Sequence, residues 1–278
     1  MSARRTAALA LTLALSLPSA ALAQAPRVML DIPYVQGSLS PNQTLDLYLP
    51  DTPTRFPVVV VVFGGGLRQG DKKEEAAIGR RLAADGLGAV VINYRLSPGV
   101  EHPAHVQDLA AAIAWTKRTI GEHGGDPDRT FVLGWSAGAY LAALVALDGQ
   151  YLSAHQLTPA ALRGVVPISG FHHVERVAPD RPKDTWGADP STWPKASSAA
   201  YARKDAPPFL LLYADGDAPD RKQESRDLAA ALTATGHTSV RTQEISGRNH
   251  TTIWRNLANE GDAALAAIAA FVRGTGTR

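Results

Sequence analysis

The segment GWSAG, residues 134–138, carries the strongest chemical signal in the sequence. It follows an apolar run (130–135) and precedes a run of small and apolar residues (137–147), so it has a strand–turn–helix setting. A G-x-S-x-G turn in that setting exposes the serine hydroxyl above a helix N-terminus, where developing negative charge is favoured. We therefore predict that Ser136 is a nucleophile; the alternative is a turn serine that caps the helix.

A serine nucleophile needs a base, and the eight histidines can be ranked by their position along the chain. In hydrolases with this turn the order is serine, acid, histidine, and site residues follow strands. His250, in SGRNHTT after the last strand pattern, meets both conditions. The other histidines precede the serine, lead into strands or precede the acid: His102, His105, His123, His155, His172, His173 and His237. His250 is the predicted general base.

The acid of a triad is expected after the apolar segment 208–213. The sequence there, YADGDAPDRKQES, offers Asp215, Asp217 and Asp220. Asp220 best suits the N-cap of the helix that follows. Asp217 is the predicted triad acid, and Asp215 is the second choice.

The segment VVVVVFGGGLRQGDK runs from a buried strand pattern straight into three glycines. A glycine-rich turn after a strand can bind phosphate, bind a dinucleotide or stabilise an oxyanion. Asp71 stands where a P-loop needs lysine, and Gln69 stands where the dinucleotide motif needs its third glycine. Both mismatches favour the oxyanion function.

The elements that must position these groups alternate between strand and helix patterns. Strands are predicted at 44–50, 58–63, 88–95, 130–135, 164–169, 208–213 and 239–245, and helices at 72–85, 105–120, 137–147, 221–235 and 262–272. This alternation indicates an α/β fold with a mostly parallel central sheet and helices on both faces.

One segment, residues 171–206, interrupts the alternation and is rich in Pro, Trp, Asp, Lys and Ser. We predict a short lid or binding insertion there; the alternative is a tolerated surface insertion. Its residues His172 and Trp186, with Trp135 and Leu67 elsewhere, are candidate substrate-binding residues, and ordinary packing is the equal alternative. Adjacent side chains in an extended segment point to opposite sides, so His172 and His173 are not expected to bind one metal ion together.

The N-terminus has the layout of a secretory signal peptide. Two arginines, Arg4 and Arg5, precede an apolar run (7–17) and a small-residue site at 21–23. Residues 1–23 are predicted to be cleaved, which leaves one domain at 24–278, periplasmic or secreted. The alternative is an apolar helix or an uncleaved anchor.

Composition limits the partners. The chain has 28 Lys and Arg against 26 Asp and Glu, and loss of the leader removes two arginines, which balances the charge. We therefore predict no nucleic-acid partner, and no membrane association after cleavage. The absence of cysteine excludes disulfides and a cysteine nucleophile. No cofactor is predicted.

The chain resembles the α/β-hydrolase superfamily, in particular small esterases of the hormone-sensitive-lipase-like and feruloyl/acetyl-xylan esterase-like groups. The resemblance rests on QTLDLYLP, FGGGLRQGDK, VVINYRLSPGVEHPAHVQDLAAAIAW, GGDPDRTFVLGWSAGAYLAAL and LLYADGDAPDRKQES with ISGRNH. It implies the triad Ser136, Asp217 and His250. It also implies an oxyanion hole, which we assign to the N–H groups of Gly64, Gly65 and Ala137.

This sequence departs from the family pattern at two positions, and the resemblance is compatible with more than one function. Phe63 stands where relatives carry histidine, and Trp135 stands where His, Asp or Glu is common. The expected function is hydrolysis of small or carbohydrate-linked esters, of acetyl or feruloyl type, through an acyl-enzyme. An amidase, arylformamidase or peptidase with the same triad is the alternative, and a non-enzymatic binding module is a further one.

Overall fold

The structure, a computed structural model, describes residues 26–51 and 55–274; the predicted signal peptide lies outside them. The strands are β1 (Arg27–Pro33), β2 (Thr44–Leu49), β3 (Phe56–Val62), β4 (Gly88–Ile92), β5 (Gly125–Trp135), β6 (Gly164–Ile168), β7 (Phe209–Ala214) and β8 (Val240–Ile245). The α-helices are α1 (Ala76–Ala84), α2 (Ala104–Thr119), α3 (Ala137–Leu147), α4 (Gln150–Ser153), α5 (Val174–Val177), α6 (Trp193–Ala196), α7 (Pro219–Ala234), α8 (Thr252–Arg255) and α9 (Ala263–Gly274). Within the described ranges, no helix has the length and apolar character that crossing a bilayer requires.

The eight strands form one sheet in the order β1-β2-β4-β3-β5-β6-β7-β8. The pairs of β2 with β1 and with β4 are antiparallel, and all the other pairs are parallel. The predicted mostly parallel sheet is confirmed. Strand β1 was not predicted, because it is an exposed edge strand whose pairing is irregular between Met29 and Ile32, where Asp31 has φ 57°.

Strand β3 is covered on both faces, as its unbroken apolar run predicts. Its valines alternate between two buried layers, because successive side chains of a strand point to opposite faces. Val58, Val60 and Val62 lie in the layer that contains the apolar residues of α2, α3 and α7. Val59 and Val61 lie in the layer that contains those of α1 and α9. The helices on both faces therefore follow from the composition of one strand.

The sheet register brings the predicted site segments to one edge. Val62 pairs with Gly134, so the glycine loop after β3 and the serine turn after β5 leave the sheet side by side. Ala214 pairs with Ile245, which does the same for the loops that carry Asp217 and His250. These are carboxyl ends of parallel strands, the edge at which open α/β sheets bind ligands.

Residues 171–206 connect β6 to β7 and contain the short helices α5 and α6. The segment is packed rather than loosely attached, since Phe171, Val174 and Trp193 are buried in the layer of α2 and α3. An ion pair between Asp184 of this segment and Arg68 connects it to the glycine loop. The segment therefore lies against one wall of the candidate site.

Candidate active site

Ser136 occupies a sharp turn between β5 and α3, with φ 54° and ψ −113°. The glycines on either side of it are sterically required. A Cβ on Gly134 would lie 2.2 Å from the carbonyl oxygen of Gly138, and a Cβ on Gly138 would lie 2.2 Å from that of Val62. The turn can form only with glycine at both positions, and it lifts the Ser136 side chain off the sheet edge.

The structure brings the three predicted triad residues into one hydrogen-bonded chain. The Oγ of Ser136 lies 3.1 Å from Nε2 of His250. The other ring nitrogen of His250, Nδ1, lies 2.9 Å from Oδ1 of Asp217. Nucleophile, base and acid therefore have the mutual contacts that serine hydrolysis needs.

Asp217 is enclosed and its carboxylate is well satisfied. Its side chain is 0% exposed, whereas that of His250 is 35% exposed. Besides His250, the carboxylate accepts hydrogen bonds from the Ser169 hydroxyl at 2.5 Å and from the Ala214 N–H at 2.9 Å. Burial opposes ionisation, but these hydrogen bonds outweigh it and hold the pKa of Asp217 below its ordinary value. The carboxylate is thus kept ionised beside the imidazole.

The other two candidate acids have different contacts. Asp215 accepts hydrogen bonds from the N–H groups of Gly247 and Arg248, at 2.8 and 2.9 Å, and so fixes the loop that leads to His250. Asp220 lies in the first turn of α7, but Ala218 occupies the N-cap, so the predicted capping role for Asp220 is wrong. Of the three acids, Asp217 is the one in contact with His250.

The glycine loop lies against the serine turn. A Cβ on Gly64 would be 3.1 Å from the Cβ of Ser136, so the Gly64 backbone is in direct contact with the candidate nucleophile. Gly65, at φ 89°, begins a turn in which its carbonyl accepts from the N–H groups of Arg68 and Gln69. Ala137 is the first residue of α3, where an N–H has no partner within the helix. The assigned oxyanion donors thus belong to backbone that adjoins Ser136.

Phe63, the residue before the glycine loop, is held by Tyr94. The two rings are stacked with centroids 4.5 Å apart. The Tyr94 hydroxyl donates to the carbonyls of Phe63, at 3.1 Å, and Gly64, at 3.0 Å. The Phe63 carbonyl shares a planar peptide unit with the Gly64 N–H, and the Gly64 carbonyl shares one with the Gly65 N–H. One hydroxyl therefore orients both assigned loop donors.

Trp135, beside the nucleophile, supports the catalytic histidine candidate. Its indole N–H donates to the His250 carbonyl at 2.8 Å, and its ring lies 5.3 Å from the imidazole. Trp254 stacks on the other side at 6.0 Å and donates its own indole N–H to Glu75 Oε2 at 2.7 Å. Burial of the Glu75 carboxyl raises its pKa to about 7, although the Trp254 hydrogen bond opposes the shift.

The remaining candidate substrate-binding residues are enclosed. Leu67 and His172 are fully buried, and Trp186 is 6% exposed and donates its indole N–H to the Tyr140 hydroxyl. Burial lowers the pKa of His172 to about 3, and its Nδ1 lies 3.0 Å from the Ser198 hydroxyl. These contacts favour the packing alternative for all three, whereas Trp135 lines an open cleft.

Several residues that shape the site were missed by sequence reasoning. Tyr94 lies in a segment on which the family resemblance rests, and that resemblance was the available signal for it. Glu75, Trp254 and Ser169 have no local motif.

The glycine loop offers no lysine for a phosphate, and the described residues offer no metal site. Lys72, the residue after Asp71, is buried in ion pairs with Asp31 and Asp46, which leaves it no position for holding phosphate. The described residues contain no cluster of three or more His, Asp or Glu that could hold a metal ion.

Comparison with known proteins agrees with this architecture. Residues 45–232 match the sequence family BD-FAE. Esterase LipQ of Mycobacterium tuberculosis is 32% identical over 79% of this chain and 56% of its own length. The chain spans about half the length of the curated relatives it matches.

Solved structures extend the comparison to the whole fold. A truncated carbohydrate esterase from gut microbiota superposes with TM-score 0.75 at 20% identity, over 92% of this chain and 98% of that one. A hyperthermophilic esterase from the archaeon Pyrobaculum calidifontis gives 0.74 at 24% identity, over 91% and 87%. The predicted α/β-hydrolase fold is confirmed.

Proposed function

The chain belongs to the BD-FAE family of α/β-hydrolase esterases, and from that premise we propose that it is a serine carboxylic-ester hydrolase. The observation that carries the proposal is the chain of contacts from Ser136 through His250 to Asp217, beside the glycine loop. Relatives named as esterases support the reaction class. A binding module has no need for this set of contacts.

The acylation step follows from the geometry. The Ser136 Oγ attacks the ester carbonyl carbon while His250 Nε2 accepts the hydroxyl proton. The buried Asp217 carboxylate stabilises the imidazolium that forms. The N–H groups of Gly64, Gly65 and Ala137 receive the developing oxyanion. His250 then returns the proton to the departing alcohol oxygen, which leaves the acyl group on Ser136.

Deacylation repeats the same proton transfers with water. His250 accepts a proton from water as the water oxygen attacks the acyl carbon, and the proton returns to the Ser136 oxygen as the carboxylic acid leaves. The substrates we propose are small or carbohydrate-linked esters, including acetyl and feruloyl esters, and the carbohydrate esterase among the structural neighbours favours that class. With the leader of residues 1–23, the proposed place of action is the periplasm or the exterior.

A labelling experiment tests the proposal. Wild type is expected to react with a fluorophosphonate at Ser136, located by mass spectrometry, and to hydrolyse p-nitrophenyl acetate. Ser136→Ala should lose both properties, and the matched control Ser153→Ala, at an exposed serine, should retain both. Labelling of Ser136 with hydrolysis of p-nitroanilides but not of esters would favour the amidase alternative. An unlabelled Ser136 would contradict the proposal.

A further inference from the structure

A cleft of about 620 Å³ opens beside the glycine loop, within the range of about 300–1,000 Å³ typical of small-molecule sites. Gly64 and Gly65 form one wall, and the start of α1 and the end of α8 form the others. The cleft adjoins the nucleophile, because Gly64 packs beside Ser136 and Trp135 precedes it in the chain. Trp135 and Trp254, whose rings are stacked, both line the cleft.

One polar group in the cleft is not accounted for by the proposed reaction. Glu75 is 7% exposed, an unusual location for a carboxyl group. Its Oε2 accepts the Trp254 indole N–H. Its Oε1 accepts no hydrogen bond from the described residues, and Glu75 is one of the residues that line the cleft. A largely buried carboxyl group with one unpaired oxygen beside a cleft has a free acceptor for a ligand.

The neighbouring charges indicate what kind of group this acceptor receives. Arg255 lines the same cleft from α8, and Glu74 lines it from the turn before α1. The positive charge of Arg255 opposes a cationic ligand, and the carboxyl groups of Glu74 and Glu75 oppose an anionic one. A neutral donor meets neither objection, and burial, which raises the pKa of Glu75 to about 7, makes a neutral partner still more suitable.

A second cleft, of about 760 Å³, lies at the opposite edge of the sheet. It is lined by residues that precede strands, including Pro208 before β7 and Ser239 before β8. A ligand there has no access to Ser136. The cleft beside the glycine loop, by contrast, lies next to the serine turn and can influence substrate choice.

We propose that the cleft beside the glycine loop is a substrate subsite in which Glu75 accepts a hydrogen bond from a hydroxyl group of the ester. Glu75 is then a specificity-determining residue. The inference rests on the proposed ester hydrolysis at Ser136. The hydroxyl can belong to the alcohol part, as in a sugar, or to the acyl part, as in a phenolic acid, and the two sources require different substrates to distinguish them.

Two substrate pairs isolate the hydroxyl. Methyl 4-hydroxycinnamate and methyl cinnamate differ by one phenolic hydroxyl on the acyl side. On the alcohol side, trans-2-hydroxycyclohexyl acetate and cyclohexyl acetate differ by one ring hydroxyl. The measured quantity is the ratio of kcat/KM within each pair, which general damage to the fold leaves unchanged because it lowers both members alike.

Two variants distinguish recognition of the substrate hydroxyl by Glu75 from structural support of Trp254 by Glu75. Glu75→Leu removes the acceptor and also the hydrogen bond from Trp254. Trp254→Phe removes that hydrogen bond and part of the ring that stacks on Trp135, but it leaves the Glu75 carboxyl in place. Wild type is expected to favour the hydroxylated member of one pair by about tenfold, as one hydrogen bond to a carboxyl group allows. Glu75→Leu should bring that ratio to about one, and Trp254→Phe should keep it within about twofold of wild type.

The other outcomes are equally decisive. A wild-type ratio near one in both pairs, or an unchanged ratio in Glu75→Leu, overturns the subsite while ester hydrolysis stands. An equal fall of the ratio in Trp254→Phe assigns Glu75 a supporting role only and also overturns it. If wild type hydrolyses no ester of either pair and Ser136 is not labelled, the proposed function fails and the subsite fails with it.

Discussion

Substitution of Tyr94 by phenylalanine removes one oxygen atom and tests how the glycine loop is oriented. The Tyr94 side chain is fully buried, and its hydroxyl donates to the carbonyls of Phe63 and Gly64. Because burial raises the pKa of Tyr94 far above its ordinary value, the hydroxyl remains a donor at every working pH. Tyr94→Phe keeps the stacked ring and releases both carbonyls.

The magnitude follows from what is released. Leaving buried acceptors without a partner costs about 1–3 kcal/mol of the free energy of unfolding. The same change frees the peptide units that carry the N–H groups of Gly64 and Gly65. Complete loss of one oxyanion donor lowers the rate by a factor of about 10² to 10³. The released loop keeps its other contacts, so we expect a smaller fall in kcat/KM, about tenfold.

The assay compares Tyr94→Phe with Thr130→Val. Thr130 is also fully buried, and its hydroxyl donates to the backbone carbonyl of Pro127 at 2.8 Å, in the first half of β5, whereas the serine turn follows the end of that strand. Urea unfolding should show a similar loss of stability in both variants, whereas kcat/KM for p-nitrophenyl acetate should fall only in Tyr94→Phe. Equal kcat/KM in the two variants would refute the orientation of the oxyanion donors by the Tyr94 hydroxyl.

Three further changes test the frame of the site. Gly138→Ala places a Cβ 2.2 Å from the Val62 carbonyl oxygen and should cost about 3 kcal/mol or more, seen as loss of soluble protein or a lowered Tm. Glu75→Gln tests the raised pKa of Glu75. Because this pKa is 4.5 in the unfolded chain and about 7 in the folded protein, wild type loses free energy of unfolding as pH rises from 4.5 to 7, and the uncharged glutamine does not. Urea unfolding should therefore show the variant gaining about 3 kcal/mol relative to wild type between these pH values, and a pH-independent difference would contradict this. Ser169→Ala weakens the depression of the Asp217 pKa, so the variant should be less stable by about 1–3 kcal/mol at pH 7, and that difference should shrink as pH falls below the ordinary value of 3.8.

Most strands of the sheet could be predicted from the sequence, because each depends on a local pattern of apolar residues. The valine run of β3 and the small-residue helix α3 are continuous patterns, and α3 has the predicted bounds. The 72–85 helix begins instead as a 3₁₀ turn at Lys72–Glu75, which Asp71 caps by accepting the Lys73 N–H. Strand β1 lacks a continuous pattern, because an edge strand with an irregular pairing does not need a regular apolar face.

The residues of the candidate site also differ in whether a local sequence pattern predicts them. Ser136 and His250 follow from a short motif and from chain order, and the sheet edge then brings them within hydrogen-bond distance. The choice between Asp217 and Asp215 depends on which carboxylate turns towards the imidazole, which three acids within six residues do not reveal. The contact between Glu75 and Trp254 joins residues 179 positions apart, and neither has a neighbouring pattern. Tertiary packing alone determines such pairs.

Phe63 and Tyr94 show how a glycine loop can be held without a polar side chain at position 63. A polar side chain at this position can hold the loop by hydrogen bonds, which phenylalanine cannot make. Here the hydrogen bonds come from Tyr94, a residue on the neighbouring segment after β4, and Phe63 contributes the ring on which that tyrosine stacks. Gly70 completes the arrangement, because a Cβ there would lie 2.4 Å from the Phe63 ring. The loop therefore depends on Phe63, Tyr94 and Gly70 together.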